Sequence, residues 1–223
     1  VLRVKNLQIS IAQKVLIQNL SFEITKPEFV AIIGHNGCGK TSFLKSLLKI
    51  SPSEGEIFLS SRPAFLTQKN NIHFEIPACE LAVMGKFSEK SFFENYTKKD
   101  FEDVDSIFQK LSISHLTNSN VLTLSGGEQQ LVWIAQLLLQ NKEILLLDEP
   151  TQHLDVQNKK RVFTLLGELV HKENKTLLCV THDLLNLYTM KGYLLNLSSP
   201  NPALEIISKE TVDRNLTFLE AEI

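Results

Sequence analysis

The sequence predicts an α/β fold with a largely parallel core sheet, an antiparallel β layer at the N-terminus and a mostly helical insertion in the middle. Three observations predict it. An apolar run at 29–33 leads straight into a glycine-rich loop and then into a stretch with helical spacing. Two more apolar runs, 144–147 and 176–180, flank a helix-length segment, as strands alternating with helices do in a parallel sheet. Between about 70 and 140 the apolar residues recur at helical spacing instead.

Taken in order, LRVKNLQI and VLIQNLSFEI alternate short apolar runs with polar breaks and are expected to form strands of the antiparallel layer. FVAII, 29–33, follows as a buried strand. From Thr41 the period changes, and Phe43, Leu44, Leu47 and Leu48 make a helical stripe that ends near the SPSEG turn at 51–55. KKDFEDVDSIFQKL places Phe101, Val104, Phe108 and Leu111 on one helical face. A helix at 126–140 carries Leu131, Ile134, Ala135 and Leu138, and one at about 157–171 carries Val162, Phe163, Leu166, Leu169 and Val170. SSPNPA, 198–203, reads as a hairpin-like turn before a last short helix. The expectation is a single domain over 1–223, with a core at about 1–70 and 141–223 and a helical subdomain at about 71–140.

Bulk properties exclude several classes. The 23 Lys+Arg against 25 Asp+Glu give no cationic surplus for nucleic-acid backbone, so no nucleic-acid partner is expected. No apolar run reaches the ~18 residues that read as a membrane-spanning helix. The first residues, VLRVKNLQIS, carry no signal-peptide apolar region, so no secretory leader is expected. Cys38, Cys79 and Cys179 are odd in number and form no CxxC pair, which fits a reducing cytosol and no structural zinc.

Gly34-His35-Asn36-Gly37-Cys38-Gly39-Lys40-Thr41 fits GxxxxGK[ST] in full, between an apolar strand and an amphipathic helix. Glycines let such a backbone curl so that several N–H groups face a phosphate, and the helix that follows adds its positive end. Lys40 would reach the β- and γ-phosphates, and the Thr41 hydroxyl would ligate Mg²⁺. Cys38 reads as a small residue that fits its place. The loop alone suits a kinase or a switch GTPase equally well. Further on, the strand at 144–147 ends in Asp148 and Glu149. Strand tips of open α/β sheets are where ligands collect. There Asp148 would orient Mg²⁺ and Glu149 would polarise an attacking water as general base. Leu124-Ser125-Gly126-Gly127-Glu128-Gln129-Gln130 supplies a second anion site, with a hydroxyl and exposed N–H groups at a helix start.

Together these motifs resemble the ABC (ATP-binding cassette) ATPase family over essentially the whole chain. The resemblance implies the P-loop NTPase ABC ATPase fold, with ATP and Mg²⁺ as ligands. It implies a head-to-tail ATP-sandwich dimer, each ATP lying between Lys40 of one copy and Ser125 and Gly127 of the other. Gln68 stands where the family has a glutamine that contacts Mg²⁺ and the membrane partner. Leu154-Asp155 matches the D-loop, and His182 matches the switch histidine at the γ-phosphate. Ser42, Gly126, Glu128 and Asp155 complete the implied ATP contacts, with Lys40 and Gln68 beside Glu149 and His182 in catalysis. Departures are also legible: Ile11 falls where the family has an adenine-stacking aromatic, Leu131 and Gln136 replace two common arginines, Pro27-Glu28 replaces a Gly-Glu turn, and the segment from Gly55 to Gln68 is short.

The implied role is the ATP-hydrolysing subunit of a transporter, energising a separate integral membrane permease from the cytoplasmic face of the cell membrane. Pro77, Glu80, Met84 and Gly85 and the phrase EPTQHLD resemble the metal and metal-chelate importer branch (siderophore, haem, cobalamin, manganese or zinc). The exposed members of Phe74, Ile76, Phe87, Phe92 and Phe93 are expected to build a groove for the permease, with others of the set in the core. The alternative is a non-transport cytosolic ABC ATPase, for example in iron–sulfur cluster assembly.

Overall fold

The structure, a computed structural model, describes residues 1–12, 14–91 and 94–220. Strands β1 (Leu2–Ile11) and β2 (Lys14–Ile24) pair antiparallel, as their alternation predicts. Each skips one step: the buried positions run Leu2, Val4, Leu7, Ile9 and Ile17, Leu20, Ile24. The skip is a bulge. Asn6 and Asn19 take left-handed φ values of 48° and 54° beside the register shifts, which Asn tolerates better than most residues.

A third strand, β4 (Glu54–Leu59), completes this layer in the order β2-β1-β4. Periodicity does not reveal β4, because most of its EGEIFL side chains are exposed and give little alternation. Gly55 crosses the β1 bulge so closely that a Cβ there would lie 2.5 Å from the Asn6 carbonyl oxygen.

The core sheet runs β5-β6-β7-β3-β8-β9, adding β3 (Phe29–Ile33), β5 (Ala64–Leu66), β6 (Ile144–Asp148), β7 (Thr176–Val180), β8 (Tyr193–Asn196) and β9 (Leu204–Ile206). All are parallel except β9, which returns from β8 through the 198–203 turn. β3, β6 and β7 are buried at every position, as sheets covered on both faces require. Their side chains alternate between two cores. Val30 and Ile32 face the antiparallel layer together with Phe43, Leu44 and Leu47 of α1 (Lys40–Leu47), while Phe29, Ala31 and Ile33 face the helices.

Between β5 and β6 the named elements among the described residues are all helical. These are α2 (Ala78–Val83), which continues as a 3₁₀ turn through Met84 and Gly85, then α3 (Lys98–Leu111) and α4 (Gly126–Leu139), with short 3₁₀ turns between them. Gly85 lets that turn touch α4, since a Cβ there would fall 2.2 Å from the Gln136 carbonyl oxygen. Leu131, at one of the positions where an arginine is common, is fully in the core. Phe74 and Phe87 are exposed as expected. Ile76 is not: it is buried, because its neighbour Pro77 bridges to Asn120 and pulls the segment against the helices. Phe92 and Phe93 lie outside the described residues.

Helix α3 begins at a capping box in which the Thr97 side chain accepts from the Asp100 N–H and the Asp100 carboxylate accepts from the Thr97 N–H. The same carboxylate receives Lys90 at 2.6 Å and Lys86 at 3.4 Å. The Lys90 hydrogen bond, then the Thr97 N–H, hold Asp100 well below the usual carboxylate range. A depressed folded pKa contributes stability above the unfolded value and loses it as pH falls through the folded one. Asp100→Asn is therefore expected to lower Tm at pH 7. The gap should narrow as pH drops below about 4, where the unfolded chain's Asp takes up its proton. Thermal melts of both proteins across pH check this, and a constant gap would refute it.

After β6, α5 (Val156–Glu173) buries the expected stripe of Val162, Phe163, Leu166, Leu169 and Val170. The short α6 (Leu184–Leu187) follows β7, and α7 (Lys209–Glu220) closes the described chain.

Candidate nucleotide site

The site forms at the carboxyl ends of the parallel strands, where loops from β3, β5, β6 and β7 converge. The loop 34–39 leaves β3 with Gly37 at φ 79° and Gly39 at φ 105°, values that side chains rarely adopt. Lys40 opens α1 and folds back over the loop. Its Nζ donates to the Gly34 carbonyl at 2.7 Å and the His35 carbonyl at 3.0 Å, and the residue is only 7% exposed.

Thr41 Oγ1 donates to Asp148 Oδ2 at 2.7 Å. Asp148 is 1% exposed, and its other oxygen, Oδ1, is buried with no hydrogen-bond partner. Burial raises the Asp148 pKa, opposed by the Thr41 hydrogen bond and the charge of Lys40. A hydroxyl beside a carboxylate with one unsatisfied oxygen is a hard-oxygen set that suits Mg²⁺. Such a cation would offset the cost of keeping Asp148 charged.

Glu149 turns sharply out of β6. Its φ is 52°, a strained value for a residue with a side chain, and its N–H donates to the Val180 carbonyl at 3.0 Å. Its carboxylate meets His182 at 3.3 Å, with the Glu149 side chain 19% exposed and that of His182 49%. A carboxylate gripped by an imidazole at the rim of a cavity is placed to take a proton from water.

Lys40, Thr41 and Glu149 line a cavity of about 400 Å³ together with Ile11, Lys14, Leu16, Asn36, Gly37, Gly39, Ser42 and Gln68, while Gly34, Asp148 and His182 stand behind this lining. The structure therefore brings together residues that the sequence scatters from 11 to 149. Ile11, at the β1–β2 turn, is exposed and offers an aliphatic wall opposite Leu16. His35 and Cys38 face a neighbouring cleft on the other side of the loop.

Ser125, Gly126, Gly127, Glu128 and Asp155 do not line this cavity. Ser125 caps α4, accepting from the Glu128 N–H, while the Glu128 carboxylate accepts from the Ser125 N–H at 2.8 Å and hydroxyl at 2.7 Å. Those contacts, the hydroxyl first, lower the Glu128 pKa. Gly127 packs on the loop before α5, where a Cβ would lie 3.0 Å from the His153 carbonyl oxygen. Asp155 caps α5 by accepting from Asn158 N–H at 2.8 Å.

Supporting residues escaped the sequence reading. Asp183 receives Lys159 at 2.6 Å and the Thr151 hydroxyl, and its N–H donates to Thr181 Oγ1 at 2.9 Å, so the segments after β6 and β7 are tied together. Gln130 Nε2 donates to the Pro150 carbonyl at 3.0 Å, joining α4 to the residue after Glu149. No motif marks these; only their position beside a motif residue does.

Comparison with known proteins identifies the family. The family profile described as "ABC transporter" matches residues 17–152. The ferric enterobactin transport ATP-binding protein FepC of Escherichia coli is 32% identical, over 96% of this chain and 86% of its own length. The zinc uptake system ATP-binding protein ZurA of Listeria monocytogenes is also 32% identical, over 89% of this chain and 82% of its own. A solved metal-chelate type ABC transporter in an inward-facing conformation superposes with a TM-score of 0.86 at 28% identity, covering 99% of this chain and 88% of that one. With the phosphate loop, the paired acids and the fold all in place, this chain belongs to the ABC transporter family, as one of its ATP-binding and ATP-hydrolysing cassettes.

Proposed function

We propose that this chain energises a separate membrane permease for import of a metal ion or metal chelate, with catalysis by Lys40, Gln68, Glu149 and His182. The observation that carries the catalytic reading is the convergence of Lys40, Thr41, Gln68, Asp148 and Glu149 on the strand ends, with His182 on the Glu149 carboxylate.

Lys40 leaves the loop carbonyls for the β- and γ-phosphates, and loop N–H groups between Gly34 and Ser42 face the same oxygens. Thr41, Asp148 and Gln68 would hold Mg²⁺, which would shield phosphate charge. Glu149 takes a proton from water as the water oxygen attacks the γ-phosphorus. The bond to the β,γ-bridging oxygen breaks, yielding ADP and phosphate, and His182 keeps the carboxylate aimed. Ile11 and Leu16 enclose the base through aliphatic contact.

Ser125, Gly126, Gly127, Glu128 and Asp155 act on the ATP of a second copy, paired head to tail. Their position outside their own chain's cavity supports this reading. The core (about 1–70 and 141–223) would carry the phosphate loop and acids, and the helical subdomain (about 71–140) would carry Ser125 and meet the permease through exposed Phe74 and Phe87. On this reading the chain works at the cytoplasmic face of the cell membrane. The names of FepC and ZurA support a metal-related cargo and do not favour a cytosolic assembly role.

Affinity purification from detergent-solubilised membranes tests the assignment. A multi-spanning permease that raises ATPase activity when co-reconstituted is the expected partner. Recovery only with a soluble assembly complex would overturn it.

A further inference from the structure

The peptide unit between Gly34 and His35 is held at both ends. Its carbonyl accepts from Lys40 Nζ at 2.7 Å, and its N–H donates to Ser198 Oγ at 2.8 Å. Ser198 lies just past β8 and is itself fixed. Its N–H donates to Asn196 Oδ1 at 2.9 Å, and Asn196 Nδ2 donates to Asn215 Oδ1 of α7 at 2.8 Å. Asn215 Nδ2 in turn donates to the Thr211 carbonyl at 2.8 Å.

Asn196 and Asn215 are both buried. Buried amides destabilise a fold unless paired, so this chain of bonds specifies one seating of α7 against the end of β8. Two contacts reinforce it. The Leu197 N–H donates to the Ile33 carbonyl at 3.0 Å, and the His35 ring lies against Phe218 of α7 with centroids 5.7 Å apart. There is no slack at the loop, because a Cβ on Gly34 would already stand 3.0 Å from Ser198 Oγ.

We propose that Ser198, locked by Asn196 and by Asn215 of the C-terminal helix, is a positioning residue for the phosphate loop. It keeps the Gly34–His35 peptide from rotating when Lys40 leaves that carbonyl for nucleotide. The inference rests on the reading of 34–41 as the phosphate cradle. While Lys40 sits on the loop the plane is clamped from two sides. When Lys40 turns to phosphate, Ser198 goes on holding it. Without the hydroxyl the plane samples orientations that aim the Gly34 carbonyl at the phosphates, and apparent affinity falls with the competent fraction.

The test uses the full chain, with ATP binding, ATPase kinetics and melting measured together. Ser198→Ala should raise Kd and KM for ATP about five-fold, the scale of one lost hydrogen bond, with kcat nearly unchanged and Tm lowered by only about 2–4 °C. Ser198→Thr keeps the acceptor and should restore KM. Asn215→Ala touches no loop residue and should raise KM in the same direction; an unchanged KM there overturns the part given to α7. Wild-type KM in Ser198→Ala, or equal loss in the Ala and Thr variants, overturns the proposal. Lys40→Ala separates the two readings. Intact ATP binding in that variant overturns the cradle itself, whereas lost binding there with wild-type KM in Ser198→Ala overturns only the positioning role.

Discussion

Glu149→Gln is expected to cut ATP turnover by at least ~100-fold, the lower end of what a positioned general base contributes. The substitution is close to isosteric, so the strained backbone at φ 52° and the contact near His182 at 3.3 Å have little reason to change. What changes is basicity: an amide oxygen cannot take the proton that attacking water must lose. The groups proposed to hold nucleotide, Lys40 and the Thr41–Asp148 pair, are untouched, so Kd for ATP should stay near the wild-type value. Binding without hydrolysis should then accumulate the ATP-bound pair of chains. Phosphate release and light scattering with ATP and Mg²⁺ read the two effects separately. A variant hydrolysing at the wild-type rate would remove Glu149 from its role.

Lys40→Ala should weaken ATP binding by roughly 10- to 100-fold, in line with the loss of a charge-assisted contact worth about 1.5–3 kcal/mol. The side chain is nearly buried and its ammonium is already engaged with the Gly34 and His35 carbonyls. Nucleotide therefore exchanges two neutral acceptors for charged ones, and that difference is what the variant forfeits. Lys40→Arg should not restore affinity, since a planar guanidinium does not fit a space shaped for a compact ammonium. Calorimetric titration with ATP measures both variants, and binding within two-fold of wild type for Lys40→Ala would contradict the expectation.

Most of the fold could be read from periodicity where burial is complete. β3, β6 and β7 are apolar at nearly every position because both faces are covered, and the stripes of α3, α4 and α5 fall on the residues that pack. Reading failed where elements are half-exposed or short. β4 presents mostly solvated side chains, and β5 and β9 have three residues each, too few to show a period. The sequence does not separate buried Ile76 from exposed Phe74, because the alternation of Ile72, Phe74 and Ile76 gives no sign of which one is pulled inward. At the site, residues whose chemistry is local were visible: a glycine loop, a lysine, acids at a strand end. Residues that act through distance were not. Ser198 meets His35 across 163 positions of sequence, and Asp183 draws its partners from Thr151 and Lys159.

The bond from Gln130 to the Pro150 carbonyl has a consequence for a paired assembly. Ser125 caps the helix whose second turn holds Gln130, and Pro150 directly follows Glu149, so the start of α4 is pinned to the strand end that carries this acid. If a second copy's nucleotide draws on Ser125 as proposed, this bond is the shortest covalent-and-hydrogen-bonded route from that contact to Glu149 within the described residues.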